Sequence, residues 1–232
     1  MIANMTNANR VFSLLSKAFN LAEMWGYRDE GTNPCRHIKK FPEKSRERFL
    51  SEEEITRLFM TLKNIEKSQS EHITFTTAIR LLLLTGCRLT EILTLKWEYI
   101  DIKNYRINLP DSKNGKKSVY ISPMVVEMLA KIDRQSNNPY VLQGKNGESH
   151  LVNLQRAWRR IRKQAVLEDV RIHDLRHSFA SIGAASGLSL PLIGALLGHT
   201  QVQTTARYAH LIGDPLREAA HVIGTKMKSI ME

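Results

Sequence analysis

Apolar residues recur at three- and four-residue spacing along most of this chain, which is the period of an amphipathic α-helix. In the first such segment, residues 5–25, the apolar face consists of Val11, Leu14, Leu15, Ala18, Phe19, Ala22 and Trp25. Gly26 and the polar residues 28–34 end this pattern. Further helices are predicted at about residues 51–66, 71–84, 90–98, 123–134, 151–166, 173–186, 190–197, 201–209 and 214–231.

Two short segments alternate between apolar and polar residues instead, as half-buried β-strands do. They are residues 105–109 and 118–121, and the turn between them contains Asn114-Gly115. Such a dipeptide favours a tight hairpin connection. The predicted fold class is therefore mainly α with a small antiparallel β-sheet or hairpin (α+β).

The segment between residues 33 and 49 is rich in Pro, Lys and Arg and has no periodicity, which is typical of an extended basic linker. Ser51 then provides a helix N-cap, with Glu54 three residues later as in a capping box. We therefore predict a short helical segment at residues 1–32 and a linker at 33–49. A main domain at 50–213 and an amphipathic tail at 214–232 complete the predicted organisation.

The charge balance favours a polyanionic partner. The chain has 232 residues, with 34 lysines and arginines against 23 aspartates and glutamates, a formal net charge of +11. A basic excess drives association with nucleic acid through counterion release. The alternative is a basic surface with no binding role. Hydrophobic residues make up 42% of the chain, which is ordinary for a globular protein.

The cysteines and apolar runs exclude several other classes. Cys35 and Cys87 are too few and too far apart for a disulfide framework or a metal knuckle. The longest apolar run, residues 78–84, is interrupted by Arg80 and is far shorter than the roughly 20 residues of a membrane span. The N-terminus lacks a basic region followed by an apolar one, so no secretion signal is predicted. These features indicate a cytoplasmic protein.

Arg88 stands on a predicted turn between two apolar helices, where Gly86 permits the turn and Thr90 is a candidate cap for the second helix. An arginine in this place can present its guanidinium to a phosphate. The alternative is an arginine that pairs with a nearby carboxylate such as Glu91.

Lys113 lies in the predicted hairpin loop beside Lys116 and Lys117. An ammonium on such a loop can donate a proton to a leaving oxygen. A solvated basic turn is the alternative for all three lysines.

His173 and Arg176 are three residues apart on one predicted helix, so they share a face and can grip the same anion. His177, four residues after His173, makes a metal pair geometrically possible, but no carboxylate or thiol completes such a site. Metal binding is therefore not predicted.

His199 follows Gly198 at the end of an apolar helix, and Tyr208 follows nine residues later. A histidine after a glycine C-cap can be a capping residue, and a tyrosine at a helix end can be a packing residue. Together with the arginines, however, these residues suit attack of a phenol on a phosphodiester, because cationic donors compensate for the poor nucleophilicity of tyrosine. The sequence therefore indicates phosphoryl transfer through a phosphotyrosine.

The order of these residues resembles that of the tyrosine recombinases, the phage integrase family. The resemblance covers nearly all of residues 50–213. It is carried by Leu-Thr-Gly86-Cys-Arg88-Leu-Thr-Glu91, Ser112-Lys113-Asn-Gly-Lys, His173-Asp-Leu-Arg176-His-Ser-Phe-Ala, Leu-Leu-Gly198-His199-Thr and Tyr208-Ala-His.

The resemblance implies a role for each matching residue. Arg88 and Arg176 would clamp the scissile phosphate, and Lys113 would protonate the leaving 5′-oxygen. His173 would be the acid/base partner of the nucleophile, His199 a further donor to the phosphate, and Tyr208 the nucleophile. Glu91 would orient this group of side chains. Neither a metal nor a cofactor is implied, and the implied partner is double-stranded DNA.

The resemblance also implies a departure, because family members usually carry a complete helical core-binding domain before the catalytic domain. Residues 1–32 resemble a remnant of that domain, so we expect a chain shortened at its N-terminus. Two rival functions stay open: a catalytically idle DNA-binding remnant of a prophage integrase, and a type IB topoisomerase-like enzyme. The tail at 214–232 is either an element that docks on a neighbouring protomer of a tetramer on DNA or an ordinary terminal helix.

Overall fold

The computed structural model describes residues 2–43, 46–110, 115–134, 137–144, 147, 149–213 and 215–231, apart from the side chains of residues 2–4, 215–219 and 222. The chain divides into two compact units, residues 1–47 and 48–232. The described helices are α1 (Ile2–Met24), α2 (Glu52–Ser68), α3 (Ile73–Thr85), α4 (Leu89–Leu93), α5 (Pro123–Ala130), α6 (Leu154–Gln164), α7 (Ile172–Ala185), α8 (Leu190–Leu197), α9 (Val202–Ala206) and α10 (Pro215–Met231).

The first unit consists of α1 and a segment that is hydrogen-bonded to it. The side-chain Nδ2 of Asn9 donates to the backbone carbonyl of Phe41 at 2.9 Å, and the backbone N–H of Phe41 donates to Oδ1 of Asn9 at 2.9 Å. The helical period predicted for residues 5–25 is confirmed. Its apolar face is nevertheless largely exposed within the described structure, with exposed fractions of 72% for Leu14 and 62% for Trp25.

The second unit carries the small sheet, in which β1 (Ile100–Asp101), β2 (Arg106–Leu109) and β3 (Lys117–Tyr120) are antiparallel and lie in that order. Ile107 of β2 and Val119 of β3 are both buried and are paired directly. The predicted mainly α fold with one small antiparallel sheet is confirmed. The sheet has a third strand beyond the predicted hairpin, because residues 100–101 also pair with β2.

The core of the second unit is built around α3, which packs against α2, α6 and α7. Seven of the thirteen residues of α3 are buried, so this helix is covered on most of its sides. At the N-terminus of α2, Ser51 Oγ accepts from Glu54 N–H at 3.2 Å, and the Glu54 carboxylate accepts from Ser51 N–H at 3.0 Å. The predicted capping box is therefore confirmed.

Four predicted helices are shorter than their apolar patterns. The helices expected over residues 123–134 and 151–166 are α5, which ends at Ala130, and α6, which spans Leu154–Gln164. The helix expected over residues 90–98 ends at Leu93, because Leu95 continues as extended chain whose carbonyl accepts from Val141 N–H at 2.8 Å. The helix expected over 201–209 ends at Ala206 and is followed by a 3-10 turn at Ala209–Leu211. After Leu93, pairing with another segment replaces continuation of the helix; after Ala206, local turns do so, as Leu211 N–H donates to the carbonyl of Tyr208 at 3.0 Å.

Candidate active site

The turn after α3 requires glycine. Gly86 has φ 62°, and an added Cβ would lie 2.5 Å from Cδ1 of Phe179. Both features exclude a side chain, because the left-handed conformation is costly for other residues and the space is occupied. The turn ends at Arg88, which is the N-cap of α4 in place of the predicted Thr90.

The carboxylate of Glu91 holds Arg88 in place. Glu91 Oε2 accepts from the backbone N–H of Arg88 at 2.8 Å, and Oε1 accepts from Nη1 at 2.9 Å. The side chain of Arg88 is 21% exposed, so its guanidinium still reaches the surface. Pairing with Glu91, which the sequence left as an alternative, therefore coexists with an arginine available to an anion.

Glu91 also contacts Lys117, which begins β3. The Nζ of Lys117 lies 3.1 Å from Glu91 Oε2, and the two side chains are 7% and 4% exposed. Burial by itself would raise the pKa of Glu91, but the hydrogen bond from Arg88 N–H and the charge of Lys117 outweigh it. The pKa of Glu91 is consequently below its usual range, and the carboxylate is a buried anion between two cations.

A solvated basic turn, the alternative for this lysine in the sequence, does not hold for Lys117, whose side chain is 7% exposed. Its stem packs against the end of α8, since an added Cβ on Gly198 would lie 2.8 Å from both Cδ and Cε of Lys117. The neighbouring Lys116 is exposed. Lys113, for which a proton-donating role is predicted, lies outside the described residues. The only sequence signal for Lys117 was its place at the start of an alternating strand, where every second side chain faces inward.

Arg176 connects the Gly86 turn to the end of α8. Its Nη1 donates to the carbonyl of Gly86 at 2.6 Å, and its Nη2 donates to the carbonyl of Leu197 at 2.7 Å. The residue is buried, with an exposed fraction of 4%. Burial, and then the charge of Arg88, lowers the pKa of this guanidinium. The planar fork of donors is thus fixed by two backbone carbonyls.

The two histidines of α7 have different environments. His173 is exposed, whereas His177 is half-buried, and their rings meet edge to face with centroids 4.9 Å apart. Partial loss of hydration and the charge of Arg176 lower the pKa of His173. Burial, followed by the charge of His173, lowers the pKa of His177 to about 4. His177 is therefore a neutral imidazole at neutral pH.

His199 follows the C-cap of α8, where Gly198 has φ 68°. The predicted capping geometry is present, with His199 N–H donating to the carbonyl of Gly194 at 2.9 Å. The imidazole is held separately, since Nδ1 lies 2.9 Å from the hydroxyl of Thr205 in α9. Burial, followed by the charge of Arg176, lowers its pKa to about 4.

Tyr208 lies on the turn after α9, and its N–H donates to the carbonyl of Thr205 at 3.0 Å. The residue is 4% exposed, and its ring belongs to a small apolar cluster with Ala180, Ala184, Ile193 and Leu197. Its hydroxyl lies 2.5 Å from Nδ1 of His177. Burial raises the pKa of the phenol, and the charges of Arg207 and Arg176 only partly oppose this effect. The sequence had not placed His177 beside the tyrosine.

Four elements bring these groups to one region: the Gly86 turn, α7, the end of α8 and the segment after α9. Burial is the largest cause of the lowered pKa values of His173, Arg176 and His199, and the charge of Arg88 lowers all three pKa values further. Cationic donors, neutral imidazoles and a phenol are thereby assembled, which suits binding of an anion and nucleophilic attack on it. No cluster of three or more histidine, cysteine or carboxylate side chains suitable for a metal occurs among the described residues.

Known proteins share this arrangement of elements. A sequence profile described as the phage integrase family matches residues 48–213. The tyrosine recombinase XerA of Saccharolobus solfataricus is 33% identical over 144 residues, which are 60% of this chain and 46% of the relative. The shufflon-specific DNA recombinase of Escherichia coli is 32% identical over 206 residues, which are 86% of this chain and 49% of the relative. The chain thus spans about half the length of these two curated relatives.

Two solved structures have the same fold. The crystal structure of XerA recombinase matches with a TM-score of 0.57 and 26% identity, covering 88% of this chain and 72% of that one. A lambda integrase dimer bound to a COC′ core site matches with a TM-score of 0.68 and 20% identity, covering 89% of this chain and 74% of that one. The fold and the assembled side chains define a catalytic domain of the tyrosine recombinase type. The chain belongs to the phage integrase family.

In the described part of the chain, no helix is both long enough and apolar enough to span a membrane.

Proposed function

We propose that the chain is a site-specific DNA recombinase that cleaves and rejoins DNA through a covalent 3′-phosphotyrosine at Tyr208. The observation that carries this proposal is the convergence of a buried, carbonyl-fixed Arg176 and a carboxylate-fixed Arg88 on the region that holds Tyr208. A pentacoordinate phosphate in the transition state gains negative charge on its non-bridging oxygens. Preorganised guanidinium groups stabilise that charge without further rearrangement.

Proton transfer requires further groups on each side of the phosphate. The phenol of Tyr208 has a raised pKa and must lose its proton as it attacks. His173 and His199 are proposed as the acid/base partner and as a donor to the phosphate, and Lys113 as the acid for the leaving 5′-oxygen. Because the phosphotyrosine conserves the bond energy, the chemistry proposed here needs neither a metal nor a cofactor.

The proposed partner is double-stranded DNA, in agreement with the net charge of +11. The proposed biological role is the integration or excision of a mobile element in the cytoplasm. Self-association as a tetramer on DNA is proposed to use α10, where Ile223, Met227 and Ile230 are 60%, 58% and 68% exposed. A helix with such exposed apolar residues is suited to docking on another protomer.

The test is covalent trapping on nicked duplexes. The full chain is incubated with a pool of labelled suicide duplexes of randomised sequence, and adducts that survive denaturing electrophoresis are quantified. Tyr208→Phe should abolish the adduct and leave noncovalent DNA binding nearly unchanged, because only the nucleophilic oxygen is lost. Tyr120→Phe, at a tyrosine that is 59% exposed, is the matched control and should retain the adduct.

Each other outcome contradicts a different part of the proposal. An adduct that persists in Tyr208→Phe would show that another residue is the nucleophile. Absence of an adduct from the whole pool would favour the idle DNA-binding remnant. Strong inhibition by EDTA would contradict metal-independent chemistry. Relaxation of supercoiled DNA without strand exchange between duplexes would favour the topoisomerase-like enzyme.

A further inference from the structure

The hydroxyl of Tyr208 is engaged by a residue to which no role has so far been assigned. Nδ1 of His177 lies 2.5 Å from the phenolic oxygen, which is a short hydrogen bond. The two rings are 6.1 Å apart between centroids and inclined at 48°. In the described part of the chain, the hydroxyl is therefore bonded to the half-buried His177, whereas the ring of the exposed His173 lies nearly perpendicular to the His177 ring, with centroids 4.9 Å apart.

We propose one change to the acid/base assignment made above for His173: His177 accepts the hydroxyl proton of Tyr208 when the phenol attacks the phosphodiester. The inference rests on the proposed function. In this role the neutral ring has to carry its proton on Nε2, so that Nδ1 accepts from the phenol. A general base must lie within hydrogen-bonding distance of the proton that it removes, and His177 satisfies this condition before DNA arrives.

The O–H bond of Tyr208 breaks and its proton passes to Nδ1 of His177, while the phenolic oxygen forms a bond to phosphorus. The bond between phosphorus and the 5′-oxygen breaks, and that oxygen takes a proton from the acid on the leaving side. Rejoining reverses both transfers, so His177 returns the proton to the phenol and no oxidant, metal or co-reactant is consumed.

The charges around His177 couple this transfer to DNA binding. Burial and the charges of its neighbours lower its pKa to about 4, which keeps it unprotonated in the free chain. The charged and titratable groups that interact with it are His173, Arg207, Asp174, Arg176 and His199, and its bonded partner is Tyr208. A phosphodiester bound among these cations offsets their charge and raises the pKa of the imidazole. His177 therefore becomes a stronger base when substrate is in place.

The test compares three substitutions on a duplex selected from the randomised pool. His177→Asn retains a side chain that can hydrogen-bond the phenol but cannot take a proton, and His177→Gln is a second variant of the same kind. His72→Asn is the matched control, because His72 is exposed and caps α3, and asparagine also caps helices well. Noncovalent DNA binding and thermal unfolding of all variants verify that they fold.

Adduct formation in His177→Asn should slow by about 10²- to 10⁴-fold, the usual contribution of a general base. Its rate should then rise about tenfold per pH unit between about pH 7 and 9, because the phenolate must form by loss of its proton to solvent and burial raises the pKa of this phenol above the ordinary tyrosine value of about 10. A folded His177→Asn or His177→Gln variant that cleaves within about threefold of the unsubstituted chain would overturn the inference and leave the proposed function intact. Absence of an adduct from the unsubstituted chain would overturn both.

Discussion

Replacement of Glu91 by glutamine tests whether one buried carboxylate holds the site together. The carboxylate accepts hydrogen bonds from Arg88 N–H, from the Arg88 guanidinium and from Lys117, and it is 4% exposed. Glutamine has nearly the same shape, but it replaces one acceptor by a donor and removes the negative charge. Lys117, which is 7% exposed, would then be a buried cation without its counter-ion.

Loss of one partner from a buried ion pair typically costs about 3–5 kcal/mol. Glutamine retains one acceptor oxygen, so the free energy of unfolding of Glu91→Gln should fall by about 2–4 kcal/mol. With a urea m-value of about 2–3 kcal/mol/M, the unfolding midpoint should move down by roughly 1 M. The fluorescence of Trp158, which is 1% exposed in the core of the second unit, provides the signal.

Glu98→Gln is the matched control, because Glu98 pairs with Lys96 at 3.4 Å and is 65% exposed. Such surface pairs contribute at most about 1 kcal/mol. Lys117→Met provides the other arm of a double-mutant cycle. The double substitution should destabilise the chain less than the sum of the single ones, since neither buried charge is then left alone. Equal midpoints for Glu91→Gln and Glu98→Gln would refute the argument.

The pH dependence has a defined sign. The folded-state pKa of Glu91 is lowered, so its contribution is present above the unfolded pKa of about 4.3 and is lost as the pH falls through the folded value. The stability difference between the unsubstituted chain and Glu91→Gln should be constant between about pH 5 and 7 and should shrink below about pH 4.

Two further predictions concern binding and chemistry. Arg176→Lys should slow adduct formation by on the order of 10²-fold or more, because an ammonium cannot hold two carbonyls and a phosphate with a planar fork. Adduct formation at a near-normal rate in single-turnover assays would mean that Arg176 has a structural role alone. The affinity of the chain for duplex DNA should fall by about 10³- to 10⁵-fold between about 50 and 200 mM salt if it neutralises six to ten phosphates. A salt-independent affinity in filter-binding assays would contradict the electrostatic origin of binding.

The sequence alone determined the features that depend on neighbours along the chain. Helical periods, the Ser51–Glu54 capping box and the glycine C-caps at Gly86 and Gly198 are set by residues within about one or two turns of each other. The alternation at residues 105–109 and 118–121 likewise predicted the hairpin, because strand period and turn chemistry are local. Catalytic candidates were found because their order along the chain resembles that of the phage integrase family.

Only the tertiary structure decided which side chains meet. The contact between Glu91 and Lys117 joins residues 26 apart, that between His177 and Tyr208 joins residues 31 apart, and Arg176 reaches a carbonyl 90 residues away. Strand alternation separates Lys117 from the exposed Lys116 only once the strand is known to begin at Lys117, and no local pattern distinguishes the half-buried His177 from the exposed His173. These distinctions arise when α7, α8 and β3 pack against the Gly86 turn, because close packing gives each buried polar group the partners that compensate for its lost hydration.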